Sequence, residues 1–449
     1  MTEHDSRIRV LAEEPVLKAI MTMAIPVMLG MFVQVFYNMV DTFFIGKLND
    51  VDQLAAASIG FPFFMLMMAI GGVLGVGTSS VVSRYLGMKK MKEAGEAVSL
   101  SLILILAAGI IVTAITASAI DPVVAMIGAK GSVAGPTKDY LLPLMISSIV
   151  IIGNFAVGII LRSEGAAMQA MTGMMVGTVV NIVLDPVMIF VFDMKIAGAA
   201  WATVIGNLAG LIYYLSCYFG KSIIKIKFTR NIFRLDYFRE ILSIGIPSGL
   251  NQALMSVAGI FLNNLAAGYG PVILAAMGVS QRLSSLIILL LIGLATGCQP
   301  LYGYNYGAKN KKRLISILKT SMTLGVGIGS VLLAVFTIFG KPAIAVFTSI
   351  PEVVAEGVFI LRAMTIAAPI IGINMICMNS LQAFGKAMPS LIISAGRQGL
   401  FYIPLLFTLN ALFGYHGLVF TQAIVEVLTA IAASLMLRHV LRTDEHLRA

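Results

Sequence analysis

The chain has 449 residues, 59% of them hydrophobic and only 12% charged, with a mean hydropathy of +0.95. Soluble proteins carry roughly 25% charged residues, so a water-soluble globule is excluded and the chain reads as an all-α polytopic membrane protein. The net charge of +10 is read as setting topology rather than as binding nucleic acid, and Cys217, Cys298 and Cys377, with no CxxC pair, support neither a disulfide framework nor a zinc site.

The charged stretch up to Lys18 leads into an apolar run longer than the roughly 15-residue core of a cleaved signal, so it is expected to be retained. Runs of about 20 apolar residues cross a bilayer. Such runs fall near 19–45, 54–83, 97–120, 140–161, 168–192 and 197–218, then near 240–266, 272–303, 314–339, 353–380, 389–412 and 417–437. Alternating ten-residue strands are absent, which argues against a transmembrane barrel. Twelve spans put both termini on one side. That side collects 22 of the 31 Lys and Arg residues and the other side five, so both termini are expected in the cytoplasm of an inner (plasma) membrane.

Segments of the two halves align at offsets of 218 to 221 residues. Ala24–Gly30 answers Gly245–Asn251, Gly77–Ala94 answers Gly297–Leu314, Leu161–Met168 answers Leu381–Met388, and Val183–Phe190 answers Phe401–Thr408. Each half therefore holds six helices. Because six is even, the halves are expected to form two bundles related by a pseudo-two-fold axis along the membrane normal, with the substrate site between them. The expected boundaries are an N-lobe over 1–219, a basic cytoplasmic linker over 220–239, and a C-lobe with its tail over 240–449.

Three acids lie inside spans: Asp41, Asp185 and Glu426. An intramembrane carboxylate costs about 2.5 to 3.5 kcal/mol on insertion scales, so each needs a reason. At 1.5 Å per residue, Asp41 in span 1 and Asp185 in span 5 reach similar depth below the outer surface, and Thr203 in span 6 returns to that level. Tyr37 and Gln34 share a helix face with Asp41, and Asn181 shares one with Asp185. Two carboxylates beside an amide and hydroxyls suit either a shared proton or a Na+ ion held by hard oxygen ligands, and the residues leave the choice open. In the second half, Arg282, Arg362, Arg397 and Glu426 lie near mid-depth, and a buried ion-pair network around Glu426 is expected. Pro26 and Pro186 interrupt helix hydrogen bonding, and Pro26 is read either as a fixed kink or as the point where proton or ion loading at Asp41 bends helix 1. Met168, Met171, Met174 and Met175 cluster in span 5, and Met174 is assigned to an adaptable substrate cavity.

Several of these segments resemble the multidrug and toxic compound extrusion (MATE) transporters. They are AIPVMLGMFVQVFYNMVDTFFIG in span 1, DPVMIF in span 5, IAGAAWATVIGN entering span 6, GCQPLYGYNYGAKN after span 8 and LQAFGKAMPS after span 10. The segment after span 8 is similar to the MepA-like and DinF-like bacterial branches. The resemblance implies a two-lobed antiporter exporting amphipathic, often cationic compounds in exchange for H+ or Na+, with no cofactor. It places the cation site on Asp41, Asn181, Asp185 and Thr203 with Tyr37 adjoining, a bending proline on Pro26, and N-lobe cavity positions on Gln34 and Asn154. The family's NorM-like branch carries acids in helices 7 and 10, where this chain has Asn251, Asn263, Asn264, Asn374 and Asn379.

Alternating access between two lobes is the expected mechanism, with membrane lipid and small drug-like molecules as partners and a monomer as the unit. No GxxxxGK[ST] loop indicates ATP use. One charge crossing 100 mV supplies about 2.3 kcal/mol, roughly fiftyfold accumulation. The alternative is a lipid-linked oligosaccharide flippase of the wider superfamily, which would want a strongly cationic cavity. An enzyme is not expected: of four histidines, His4, His439 and His446 lie in the tails and His416 at a helix end.

Overall fold

The computed structural model describes residues 3–48, 50–220, 222–226 and 230–447. Lys221, Lys227 and Arg448, counted above among the inward basic residues, lie outside them.

A short helix α1 (Glu3–Ala12) precedes the membrane. Span 1 is α2 (Val16–Gly46), with Pro26 buried inside it. Asp50 opens α3 (Val51–Gly87) by accepting hydrogen bonds from the N–H groups of Asp52 and Gln53, a side-chain N-cap. In α4 (Met91–Met126) the backbone leaves helical geometry at Ala119, three residues before Pro122, where the proline ring and its missing N–H disturb the preceding turn. Span 4 is a bent pair, α5 (Ala134–Ile146) and α6 (Ser148–Ser163), turning by 56° at Ser147. Span 5 is α7 (Ala167–Pro186), continued by a π-helical turn over Val187–Val191, so Pro186 marks a change of hydrogen-bond register as well as an expected kink. Span 6 is α8 (Lys195–Gly220).

The second half repeats this order. Spans 7 to 9 are α9 (Leu235–Ala267), α10 (Pro271–Gly307) and α11 (Lys311–Ala345). Span 10 is again a bent pair, α12 (Pro351–Thr365) and α13 (Ala368–Ala383), turning by 41°. Then come α14 (Ala387–Ala395), a π-helical turn over Gly396–Leu400, and α15 (Tyr402–Thr443). The 57 residues of Ala387–Thr443 would stretch roughly 85 Å as one straight helix, far beyond a hydrocarbon core of about 30 Å. Gly414 resolves this: its φ of 57° and ψ of −139° reverse the chain, and Leu406 and Leu418 on either side share one core cluster. The total is twelve spans, with no strand among the described residues.

Two compact units emerge. One comprises the described residues of Met1–Glu13 and Leu29–Gly245, the other those of Glu14–Met28 and Ile246–Ala449. The first helix of each repeat therefore changes unit part-way along its length. In the second unit Met28 and Ala24 of α2 pack closely on Gly293 and Gly297 of α10, and in the first unit Ile241 of α9 packs on Gly77 of α3. Both changes occur beside a helix-interior proline, Pro26 in α2 and Pro247 in α9.

The segments that follow the sixth helix of each half also correspond, at an offset of 222. In the first unit Ser222 Oγ donates to Glu164 Oε2 at 2.6 Å and the Ile223 N–H donates to the same oxygen at 3.1 Å, with Ile223 and Ile224 buried. In the second, Asp444 accepts from Tyr306 Oη at 2.6 Å and pairs with Lys386 at 2.7 Å, while His446 Nε2 lies 3.1 Å from the Tyr306 carbonyl. A carboxylate thus ties chain to loop in both units, although it sits on the loop in one and on the tail in the other.

Glu164 is fully buried in the turn between α6 and α7. Burial pushes its carboxyl up to about 7 from the usual 4.5, against the opposing pull of Ser222 and the nearby Arg7 guanidinium. A folded-state pKa above the unfolded value contributes stability that is fully present below about pH 4.5 and lost as pH rises through about 7. We expect thermal stability to fall between pH 5 and pH 8 by an amount of order 3 kcal/mol, and Glu164→Gln to flatten that slope. A wild-type chain whose unfolding temperature rises over this interval would contradict the assignment.

Candidate cation-coupling site

The site is built by a close approach of α7 and α8. A Cβ added to Gly206 would lie 2.7 Å from the Gly177 carbonyl and 2.9 Å from the Asn181 Cβ, so only glycine lets the two backbones touch, as small residues do in membrane helix packing. This sets Asn181 and Asp185 of α7 against Thr203 of α8, all three buried.

Asn181 Nδ2 lies 3.5 Å from Asp185 Oδ1 and 3.4 Å from Thr203 Oγ1. Tyr37 arrives from α2, its hydroxyl 3.2 Å from Thr203 Oγ1. Behind them, Asn207 Nδ2 donates to the Thr203 carbonyl at 2.8 Å, and Asn154 Nδ2 donates to Asn207 Oδ1 at 2.9 Å. Asp41 makes no direct hydrogen bond among the described residues but lies close enough for its charge to act on Asp185 and Tyr37. The structure thus joins Tyr37, Asn154, Asn181, Asp185 and Thr203 in one hydrogen-bonded chain and sets Asp41 at its edge.

Four buried acceptor oxygens have no hydrogen-bond partner among the described residues: Asp41 Oδ1, Asn181 Oδ1, Asp185 Oδ2 and Asn154 Oδ1. Each buried acceptor left unpaired costs about 1–3 kcal/mol. A proton on either carboxylate, or a small cation drawing on the oxygens of Asp41, Asn181 and Asp185 and the two hydroxyls, lowers that cost and relieves the repulsion between the two acids.

The remaining expected residues are placed less tightly. Gln34 is half-buried and no hydrogen bond joins it to the cluster. Met174 packs against Gly30 of α2, which sets α2 on α7 beneath the polar residues. Two participants were missed from sequence. Asn207 sits one turn beyond Thr203 on the same face of α8, a spacing that could have revealed it. Tyr140 of α5 is buried near both Asp41 and Asp185, and no local pattern announces it.

In the second half the ion-pair expectation holds for only two of its four residues. Arg397, presented by the π-helical turn, reaches Glu426 Oε1 through Nε at 2.9 Å and Nη2 at 2.7 Å. Gln422 donates to the same oxygen at 2.7 Å and Asn374 to Oε2 at 2.6 Å. Arg362 does not join them: it is exposed, and its Nη2 donates to the Thr337 carbonyl at 2.9 Å. Arg282 is exposed as well. Both lie on outward faces of their helices, where a long side chain carries its charge toward polar surroundings.

The family profile described as MatE matches residues 26–187 and again 247–408, a shift of 221 at both ends, which reproduces the internal repeat. The chain belongs to the MATE transporter family. It is therefore a multi-pass membrane transporter and not an enzyme. The MepA multidrug export protein of Staphylococcus aureus (strain MSSA476) is 34% identical over 435 residues, covering 96% of each chain. Among solved structures, a MATE protein in complex with MaL6 superposes with a TM-score of 0.91 at 28% identity, covering 98% of this chain and 99% of that one. A MOP superfamily transporter from Pyrococcus furiosus Vc1, described as having a binding pocket of reverse polarity that suggests a different function, superposes at 0.88 with 29% identity and 97% of each chain covered. The first MatE match contains Asp41, Asn181 and Asp185; Thr203 lies beyond it.

Proposed function

We infer that this MATE protein exports small amphipathic, often cationic drug-like compounds in exchange for H+ or Na+. The observation that carries the reading is the pair of carboxylates, Asp41 and Asp185, with unpartnered buried oxygens beside Asn181, Thr203 and Tyr37. Cation arrival neutralises the pair, and departure restores two like charges in a low-dielectric setting. A loaded and an unloaded state of different energy are what coupling requires. The similarity to MepA supports multidrug substrates, and Gln34, Asn154 and Met174 are assigned to the cavity that receives them.

Alternating access is read from the N-lobe over 1–219, the linker over 220–239 and the C-lobe over 240–449, working as a monomer among inner-membrane lipids with both termini cytoplasmic. The prolines at which α2 and α9 change unit, Pro26 and Pro247, are its proposed bending points, since each lacks an N–H for the helix ladder.

The test is drug uptake into inverted vesicles or proteoliposomes under separately imposed proton and sodium gradients. Uptake driven by one gradient and abolished by its collapse is expected. Lipid scrambling that ignores both gradients would favour the flippase alternative and overturn the antiport reading.

A further inference from the structure

The turn between α3 and α4 and the start of α9 border an open cleft of about 440 Å³, within the range of ligand pockets, roughly 300–1,000 Å³. It lies on the side that gathers most of the basic residues, away from Asp41 and Asp185. Tyr85 comes from the end of α3, Lys90 and Glu93 from the start of α4, and Tyr237, Arg239 and Glu240 from the start of α9.

Its charges sort unequally. Glu240 is engaged by Arg84 at 3.1 Å and by the Tyr85 hydroxyl at 3.3 Å. Asp236 is held by Arg234 at 3.1 Å, and that guanidinium also lies over the Tyr237 ring, 5.4 Å from its centroid. The Tyr237 hydroxyl in turn donates to buried Glu96 at 2.9 Å, and Tyr237 packs with Val81, Ala97 and Ile241 in one core cluster. Tyr237 is therefore fixed in the wall by buried contacts. Lys90 and Arg239 are in no ion pair among the described residues, and Lys89 and Lys92 flank Lys90 in sequence. Glu93 is the one lining acid without a cationic partner among the ion pairs. The lining carries three bases and three acids, but Glu240 is held by Arg84 from outside the lining and Asp236 by Arg234, so Lys90 and Arg239 face Glu93 alone, an excess of one cation that favours an anion.

The type of anion follows from the donors. An Arg fork and a Lys ammonium bring several N–H groups from different directions, and a phosphate offers more acceptor oxygens to meet them than a carboxylate does. We propose that this cleft binds a phosphate group, borne by an anionic lipid headgroup or by a free phosphate. Recognition of lipid phosphate by basic pockets at helix ends has the same physical basis. The proposal stands apart from drug export, because its readout is binding rather than transport.

The test is calorimetric titration of the purified full-length chain with short-chain phosphatidylglycerol and, separately, with inorganic phosphate at constant ionic strength. Saturable binding of either ligand is expected. Lys90→Gln combined with Arg239→Gln should weaken it roughly thirtyfold, at about one surface cation's contribution each, while Glu93→Gln strengthens it. Both cationic side chains are exposed, so the double variant should unfold at the wild-type temperature, which separates lost binding from lost fold. Phosphatidylglycerol binding that inorganic phosphate cannot displace assigns the source to lipid; equal binding and full competition assign it to free phosphate. The proposal is overturned if neither ligand binds saturably, or if the double variant binds as wild type does.

Discussion

Replacing Arg397 by Met is expected to destabilise the chain by about 3–5 kcal/mol, the cost of stranding one member of a buried ion pair. Glu426 has no exposed surface and Arg397 almost none, so neither charge can turn to water when its partner is lost. Gln422 and Asn374 still donate to the carboxylate, but two neutral donors do not replace a charged guanidinium that gives two N–H bonds to one oxygen. Glu426→Leu is expected to cost a similar amount by isolating Arg397 in the same place. The paired change Arg397→Met with Glu426→Leu should recover most of the loss, because an apolar pair of similar volume avoids the desolvation of both ions. Thermal unfolding of the four proteins in one detergent measures this as a double-mutant cycle. Additive losses would mean that the two residues are not coupled. If the pair is structural, the double variant should also keep its transport activity, and loss of transport in a stably folded double variant would assign the pair a direct role.

What the sequence made legible, and what it did not, divides along physical lines. The spans were readable because crossing a bilayer needs a long apolar run, and no polar segment imitates one. Even the reversal between spans 11 and 12 was visible as the gap from 412 to 417, which brackets Gly414. By contrast, α1 is short and polar, and its role appears only where Arg7 and Leu11 become buried. Glu164 read as an ordinary loop acid, since a turn between helices normally lies in water, and its burial depends on the distant Ser222 segment folding over it. The π-helical turns at Val187–Val191 and Gly396–Leu400 leave no periodic signal over five residues. At the site, depth and helix-face arithmetic placed Tyr37, Asn181, Asp185 and Thr203 together, because they lie on three long helices whose rise is fixed. The same arithmetic brought Arg282 and Arg362 to the right depth but carried no information on which way they face around the helix axis, and it could not see Tyr140 arriving from α5.

Asp41→Asn and Asp185→Asn should abolish gradient-driven drug accumulation while leaving the fold intact. Asparagine preserves the shape of each side chain and an oxygen acceptor at each position, so the contact of Asn181 Nδ2 with residue 185 can persist. It removes the charge whose gain and loss distinguish a loaded from an unloaded site. Since the two carboxylates lie close enough to act on one another, neutralising one relieves repulsion in a buried setting, and thermal stability should hold or rise. Lost transport together with retained or increased stability is the diagnostic combination, because a merely structural aspartate would lose both. The lost driving force is the roughly fiftyfold accumulation that one charge supplies per 100 mV, read in proteoliposomes against wild type under the gradient that drives it. Tyr37→Phe removes only the hydroxyl near Thr203 Oγ1 and should reduce accumulation without abolishing it. If both aspartate variants accumulated drug as wild type does, under either gradient, this cluster would not be the coupling site, and the hydrogen-bonded geometry around Thr203 would have to be read as helix packing alone.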